Sequence, residues 1–287
     1  MKYFVIGARG QLGRDLCPRL WGDVVAASRD SADLTNPALL RTTLAAERPE
    51  VVVNCAAYNL VDKAEAEPES AFAVNAFGVR TLANLCSEFN IMLVHFSSDY
   101  VFGLDNGRRL PWTEVDVPIP NSVYAASKLT GEYFVRSLCP KHFVIRTCGL
   151  YGVWGTGGKG GNFVETMLRL GREKKPLRVV ADQVCTPTYT VDLAYAVANL
   201  LDTGKYGLYH VTSSGSCTWH EFASTIFQQS EMKVDVAAIS TAEFGAAAHR
   251  PAYSVLSCAK FVALGIEPLR EWKAALAAYL QERRVQK

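Results

Sequence analysis

Tyr124 and Lys128 stand four residues apart in the run Asn121-Ser122-Val123-Tyr124-Ala125-Ala126-Ser127-Lys128. On a helix that spacing stacks the two side chains on one face. A free phenol ionises near ~10, too high for easy proton exchange at neutral pH. A neighbouring ammonium favours the phenolate and brings the group closer to working range. Such a pair arises often by chance, so a third group matters. Ser98 supplies it, in His95-Phe96-Ser97-Ser98-Asp99-Tyr100-Val101-Phe102-Gly103, directly after a strand candidate. Ligands of open α/β sheets bind at the carboxyl ends of strands. There Ser98 would polarise a carbonyl while Tyr124 supplies a proton, which is the chemistry of keto reduction.

Reduction needs a hydride donor, and the chain opens with a turn suited to one. Gly7-Ala8-Arg9-Gly10-Gln11-Leu12-Gly13 follows the first strand candidate and leads into a helical pattern. Glycines let the backbone turn sharply and approach a pyrophosphate placed on the helix N-terminus. About twenty residues on, where an acid normally holds the NAD ribose, the sequence reads Ser28-Arg29-Asp30. Ser28 and Arg29 suit a 2′-phosphate, because a guanidinium grips phosphate through two donors. The expected cofactor is therefore NADPH, with NADH left open through Asp30. Asp33-Leu34 would border the adenine, and Cys55-Ala56-Ala57-Tyr58 would let the cofactor lie against the backbone.

The elements that must position these groups are legible as alternating patterns. Lys2–Ile6, Asp23–Ala27, Val51–Asn54, Ile91–Phe96 and His142–Thr147 are short apolar runs, as parallel strands covered on both faces require. Phe72, Ala76, Val79, Ala83, Cys86 and Phe89 recur at helical spacing, predicting a core-facing helix over 70–89. Further helices are expected at 162–171, 191–202, 218–229 and 269–283, the last with Leu269, Trp272, Leu276 and Tyr279 on one face. Alternating βα units imply an α/β, Rossmann-type doubly wound parallel sheet. The expected division is a dinucleotide-binding domain over 1–151, with 177–202 returning to it, and a smaller C-terminal substrate lobe from 152–176 and 203–287. Six glycines fall between 152 and 161, a composition suited to a segment that closes over a ligand, with Lys159, Asn162 and Phe163 at its far end.

Composition excludes other classes. Of 287 residues 49% are apolar and 20% charged, and net charge is +2, so no strong field recruits nucleic acid or an anionic membrane. No stretch approaches the ~20 apolar residues of a membrane helix, and the apolar run after Met1 is too short for a signal peptide. A cytosolic location is expected. The eight cysteines are scattered without a C-x-x-C pair, which suits small reduced core side chains rather than a metal site.

Taken together these motifs resemble the extended short-chain dehydrogenase/reductase superfamily and, more closely, the dTDP-4-dehydrorhamnose reductase family. The likeness covers nearly the whole chain. It includes the glycine turn at 7–13, Val-Asn-Cys-Ala-Ala-Tyr-Asn-Leu-Val-Asp-Lys-Ala-Glu at 53–65, Ser-Ser-Asp-Tyr-Val-Phe at 97–102 and the Tyr124–Lys128 helix. It continues through Gly161-Asn162-Phe163, Asp182-Gln183, Thr186-Pro187-Thr188, Arg250-Pro251 and Ser254. The resemblance implies hydride transfer to C4 of a nucleotide-bound 4-keto-6-deoxysugar. Tyr124 would protonate the alkoxide, Lys128 would hold the ribose and tune Tyr124, and Ser98 would orient the keto oxygen. Asp99, Asn162, Phe163 and Arg250 would contact the nucleotide-sugar. Gly7, Gly10, Gln11, Leu12, Ser28, Arg29, Asp33, Leu34, Ala56, Ala57, Tyr58 and Phe96 would contact the cofactor, with Tyr124 and Lys128. A homodimer is among the implied partners. No metal ligand set is assigned.

The chain departs from that family at Cys148-Gly149, where Ser-Trp is common and the indole walls the sugar pocket, and at Tyr253, which replaces an Asn. Sugar-nucleotide 4,6-dehydratases of the same superfamily carry Asp-Glu after the catalytic Ser/Thr. Here Tyr100 follows Asp99, so elimination lacks its base. A second class stays open: a non-catalytic NADP-holding regulatory subunit similar to the methionine adenosyltransferase beta subunit.

Overall fold

A computed structural model describes residues 1–105, 107–154, 161–173 and 176–285. Strands β1 (Lys2–Ile6), β2 (Asp23–Ala27), β3 (Val51–Asn54), β4 (Met92–Ser98) and β5 (His142–Thr147) join Gly207–His210 in one sheet. The order is Gly207–His210, β5, β4, β3, β1, β2, and every pairing is parallel. Alternate side chains feed two cores. Tyr3, Val5, Val51, Val53 and Val94 enter one, and Phe4, Ile6, Val52 and Leu93 enter the other. Val51, Val52 and Val53 are wholly buried, and each such side chain contributes roughly 1.5–3 kcal/mol relative to exposure. That explains the continuous apolar runs.

Helix α1 (Gln11–Leu16) and the helix Thr190–Asp202 cover the first face through Leu12, Leu16, Leu193, Val197 and Leu200. Helix α2 (Pro37–Glu47), the helix Val79–Glu88 and the helix Val123–Leu138 cover the second through Leu40, Leu44, Leu82 and Val135. The helix expected over 70–89 begins at Pro68 and passes through a π-helical turn, Ala73–Gly78, before Val79–Glu88. β4 runs two residues past its expected end, because Ser97 and Ser98 stay in the ladder opposite Arg146 and Thr147.

Two expectations need correction. Leu177–Val180 does not return to the main sheet; it pairs in parallel with Val236–Ile239. Its central Arg178 is exposed and pairs with Glu243, whereas the inner strands of the main sheet are covered on both faces. The sixth main-sheet strand is Gly207–His210, from within the segment assigned wholly to the smaller lobe. The helices Phe163–Arg172, Trp219–Gln229 and Trp272–Val285 enclose a separate core around Tyr151, Phe222 and Tyr279. Trp272, Leu276 and Tyr279 are buried there, while Leu269 packs into the main-sheet core and precedes the helix. All eight cysteines are free thiols. No helix among the described residues is long and apolar enough to cross a membrane.

Candidate active site

The helix Val123–Leu138 begins in a defined place because two side chains satisfy its first N–H groups. Ser122 accepts from Ala125 N at 3.3 Å, and Glu65 accepts from Val123 N at 2.9 Å. Tyr124 follows in the first turn and Lys128 one turn later. Lys128 is buried, and its Nζ donates to the Phe96 carbonyl at 2.7 Å. Burial pulls its pKa down to about 8, against the nearby Glu132 carboxylate. Burial likewise pushes the Tyr124 phenol up to about 12, opposed by the neighbouring Ser98 hydroxyl and reinforced by Asp99. The sequence-based expectation was a phenol eased toward ionisation by Lys128. In the structure burial dominates and the ammonium is anchored to β4. Tyr124 is therefore kept protonated, as a proton donor must be.

Ser98 Oγ donates to Asp99 Oδ1 at 3.1 Å and accepts from Tyr100 N at 3.2 Å. Asp99 is buried, and its carboxyl is raised above the usual range by desolvation, opposed by Cys148, Ser254 and Ser98. Ser97 Oγ, Asp99 Oδ2 and Thr147 Oγ1 are buried with no hydrogen-bond partner among the described residues. All three sit at the carboxyl ends of β4 and β5, where Ser97 pairs with Arg146 and Ser98 with Thr147. Buried polar atoms are normally satisfied, so the orphans at this strand end mark a place that takes a polar ligand; Thr147 shares the face of Ser98, and Ser97 points to the other face. The Tyr100 ring meets the Tyr124 ring edge-on at 6.0 Å.

The glycine turn lies at the end of β1. Gly7 has φ +76°, and a Cβ there would come within 2.8 Å of Ala56 N, so only glycine fits. A Cβ at Gly13 would lie 2.4 Å from Gly7 O. The turn is thus pressed against the backbone of Cys55 and Ala56, which follow β3. Gly10 N bonds to Gly7 O at 2.9 Å and Gly10 precedes α1, while Leu12 is buried in the core. Ser28 and Arg29 end β2. Arg29 is 81% exposed and its Nε donates to Asp33 Oδ2 at 3.1 Å. Asp33 is held below the usual carboxylate range, chiefly by Thr35. Leu34 is buried, and its carbonyl abuts Gly78. A turn without side chains, a small-residue strand end and a solvent-facing guanidinium at β2 fit a dinucleotide with a 2′-phosphate.

The residues assigned to the sugar-nucleotide divide. Asn162 caps the helix Phe163–Arg172 by accepting from Glu165 N, and its Nδ2 donates to Gln11 Oε1 at 3.0 Å and Gly152 O at 2.9 Å. It ties the small lobe to the glycine turn. Phe163 stacks on Phe222 at 5.6 Å and meets Trp219 at 4.8 Å, so much of its ring is spent on the lobe core. Arg250 approaches the site itself, close enough to Tyr100 for the two groups to interact electrostatically. The space beside Gly149, where the family's indole is absent, is not empty. A Cβ there would meet Trp219 Cη2 and Pro187 Cα at 3.3 Å, so an indole from the small lobe fills that space. Residues 155–160, including Lys159 of the glycine run, lie outside the described residues. Among the described residues no group of three or more His, Cys, Asp or Glu side chains is placed to hold a metal ion.

Sequence reasoning missed Asn75, in the π turn. Its Oδ1 accepts from Tyr58 N at 2.9 Å, and its Nδ2 donates to Tyr58 O at 2.8 Å and Ser127 Oγ at 3.0 Å. One amide thus joins the cofactor-side loop to the helix of Tyr124 and Lys128. The available signal was a buried polar residue inside an apolar helical stripe. Asp62 and Glu65 were inside a recognised block but had no role.

A family model described as "RmlD substrate binding domain" matches residues 1–285. The chain is 40% identical over 286 residues to the spore coat polysaccharide biosynthesis protein SpsK of Bacillus subtilis, covering 98% of each. It is 39% identical over 287 residues to a dTDP-4-dehydrorhamnose reductase of Streptomyces griseus, covering 96% of this chain and 91% of that one. A crystal structure of dTDP-4-dehydrorhamnose reductase from Bacillus anthracis in complex with NADP superposes with a TM-score of 0.92 at 39% identity, over 98% of this chain and 99% of that one. A glycine turn under a small-residue strand end, a Ser98–Tyr124–Lys128 cluster and this full-length likeness agree: the chain belongs to the RmlD substrate binding domain family, with the dTDP-4-dehydrorhamnose reductases.

Proposed function

We propose that the protein is an NADPH-dependent reductase of the 4-keto group of a nucleotide-activated 6-deoxysugar, acting as the dTDP-4-dehydrorhamnose reductases do in dTDP-rhamnose biosynthesis. The observation that carries the reading is the Tyr124 phenol buried beside Ser98, with the Lys128 ammonium buried one turn along its helix and buried polar atoms without partners at the same strand end. The bound nicotinamide supplies the hydride. Ser98 and Tyr124 hydroxyls donate to the keto oxygen and polarise it. As charge grows on that oxygen, Tyr124 gives up its proton, and the buried ammonium of Lys128 offsets the phenolate left behind. Lys128 would also hold the cofactor ribose, and Asp99 would hold a sugar hydroxyl. Gly7, Gly10, Gln11, Leu12, Ala56, Ala57, Tyr58, Phe96, Leu34 and Asp33 line the cofactor, with Ser28 and Arg29 at its 2′-phosphate. Arg250 faces the anionic part of the nucleotide, with Asn162 and Phe163 at the edge of the small lobe. A homodimer and a cytosolic location belong to the same reading.

The decisive experiment is turnover of a dTDP-4-keto-6-deoxyhexose with NADPH. Tyr124→Phe keeps the ring packing and should cut kcat by about 10²–10⁴ while leaving NADPH binding intact. A non-catalytic NADP-holding subunit would bind the cofactor without consuming it.

A further inference from the structure

Helix α3 (Val61–Ala66) overlaps the long sequence block at 53–65, and two of its side chains bond to two separate parts of the chain. Asp62 takes the guanidinium of Arg250 through both carboxylate oxygens, Nη1 to Oδ1 at 3.1 Å and Nη2 to Oδ2 at 2.7 Å. It also accepts from Ala248 N at 3.1 Å. Glu65, one turn on, accepts from Val123 N at the start of the Tyr124 helix. The same short helix therefore grips the segment that carries Arg250 and the element that carries the proton donor.

The consequence is geometric. A bidentate pair fixes the guanidinium plane, and the Ala248 contact holds the chain two residues before it. Arg250 Nη1 also donates to the Ala248 carbonyl at 3.0 Å. So held, the guanidinium lies beside Tyr100, with which it interacts electrostatically and whose ring packs against Tyr124. Arg250 is only 17% exposed, so it does not sweep through solvent.

We propose that Asp62 is a positioning residue that acts through Arg250, setting the guanidinium at the anionic end of the substrate at a fixed distance from Tyr124. This rests on the reductase reading, in which Arg250 meets the nucleotide diphosphate. Asp62 touches neither substrate nor cofactor. Its removal leaves Arg250 present but free to rotate, and a displacement of ~1 Å at a positioned group weakens its action by up to ~10²-fold.

The test is a double-mutant cycle on binding of dTDP-rhamnose to the NADP⁺-loaded protein, followed by calorimetry. Asp62→Ala and Arg250→Ala should each weaken binding roughly 10- to 100-fold, and the double variant should be no worse than Arg250→Ala alone. Asp62→Asn, of the same shape without the charge, should fall between. NADP⁺ affinity should stay within about twofold throughout, a constancy that a general loss of structure would not give. Binding by Asp62→Ala equal to the unmutated protein, or losses that add, would overturn the proposal. If the unmutated protein binds dTDP-rhamnose with non-additive losses but fails to reduce 4-keto sugars, the reductase reading falls and the positioning role stands. If it binds no dTDP-rhamnose at all, both fall.

Discussion

The ammonium of Lys128 is bonded to the Phe96 carbonyl at 2.7 Å, while the carboxylate one turn further along its helix, Glu132, is claimed by Arg146. A buried charge held by a neutral acceptor is costly, and Lys128 shows this in a pKa pulled down from 10.5 to about 8. The unfolded chain keeps the ordinary value. Below pH 8 both states are charged and the folded state bears the full penalty. Between pH 8 and 10.5 the folded lysine is neutral while the unfolded one still holds its proton, so this contribution to stability rises with pH.

Lys128→Met should therefore stabilise the cofactor-free protein at pH 7, by about 1–3 kcal/mol, while abolishing turnover. The gain should shrink as pH rises from 8 to 10.5. Urea denaturation at pH 7 and pH 10 measures both values; a gain that stays constant across that range would mean the ammonium bears no burial penalty. In the unmutated enzyme activity should decline as pH passes about 8, where Lys128 loses its charge.

In the proposed reading, the choice of NADPH over NADH is made at Arg29. Among the described residues its guanidinium bonds only through Nε, to Asp33, which leaves both terminal nitrogens for a 2′-phosphate. Arg29→Ala should weaken NADPH roughly tenfold, about 1.4 kcal/mol, and leave NADH nearly unchanged. Fluorescence titration of both cofactors checks this. Equal affinities in the unmutated protein would remove the assignment.

Four of the six main-sheet strands are legible to the residue: β1, β3 and β5 because cover on both faces leaves an apolar run, and the half-exposed edge strand β2 through its apolar run at 24–27. β4 was read short because Ser97 and Ser98 are polar, yet burial at the site is what keeps them in the ladder. Leu177–Val180 was apolar enough to pass for a sheet strand, and only the exposed Arg178 betrays its one-sided cover. Tyr124, Lys128 and Ser98 were visible as a spacing plus a strand end. Asn75 and Asp62 were not, since their roles depend on partners 52 and 188 positions away, and no local pattern encodes such a contact.

Asn75 yields a prediction of its own. Its amide makes three bonds that link Tyr58 to Ser127. Asn75→Ala strands the Tyr58 N–H and carbonyl and should cost about 1–3 kcal/mol. Because Ser127 lies between Tyr124 and Lys128, kcat should fall as well, with NADPH still bound. Denaturation and steady-state kinetics together test this; a stable variant with normal kcat would confine Asn75 to loop packing.

The Glu132–Arg146 pair offers the last test. Both side chains are essentially buried, 0% and 1% exposed, and the guanidinium is bidentate at 2.8 and 2.7 Å. Arg146 Nη1 also meets His210 at 3.3 Å, which ties the catalytic helix to the edge strand Gly207–His210. Removing one partner leaves a buried charge unpaired, so Glu132→Leu or Arg146→Met alone should cost about 3–5 kcal/mol. Replacing both at once removes the two charges together, and the double variant should be far more stable than the sum of the single losses predicts. It should still differ from the unmutated enzyme in one respect. Glu132 is the group that holds the Lys128 pKa up against burial, so without it Lys128 should lose its proton at lower pH. The alkaline decline of kcat should then begin below pH 8, whereas a purely structural pair would leave the pH profile in place.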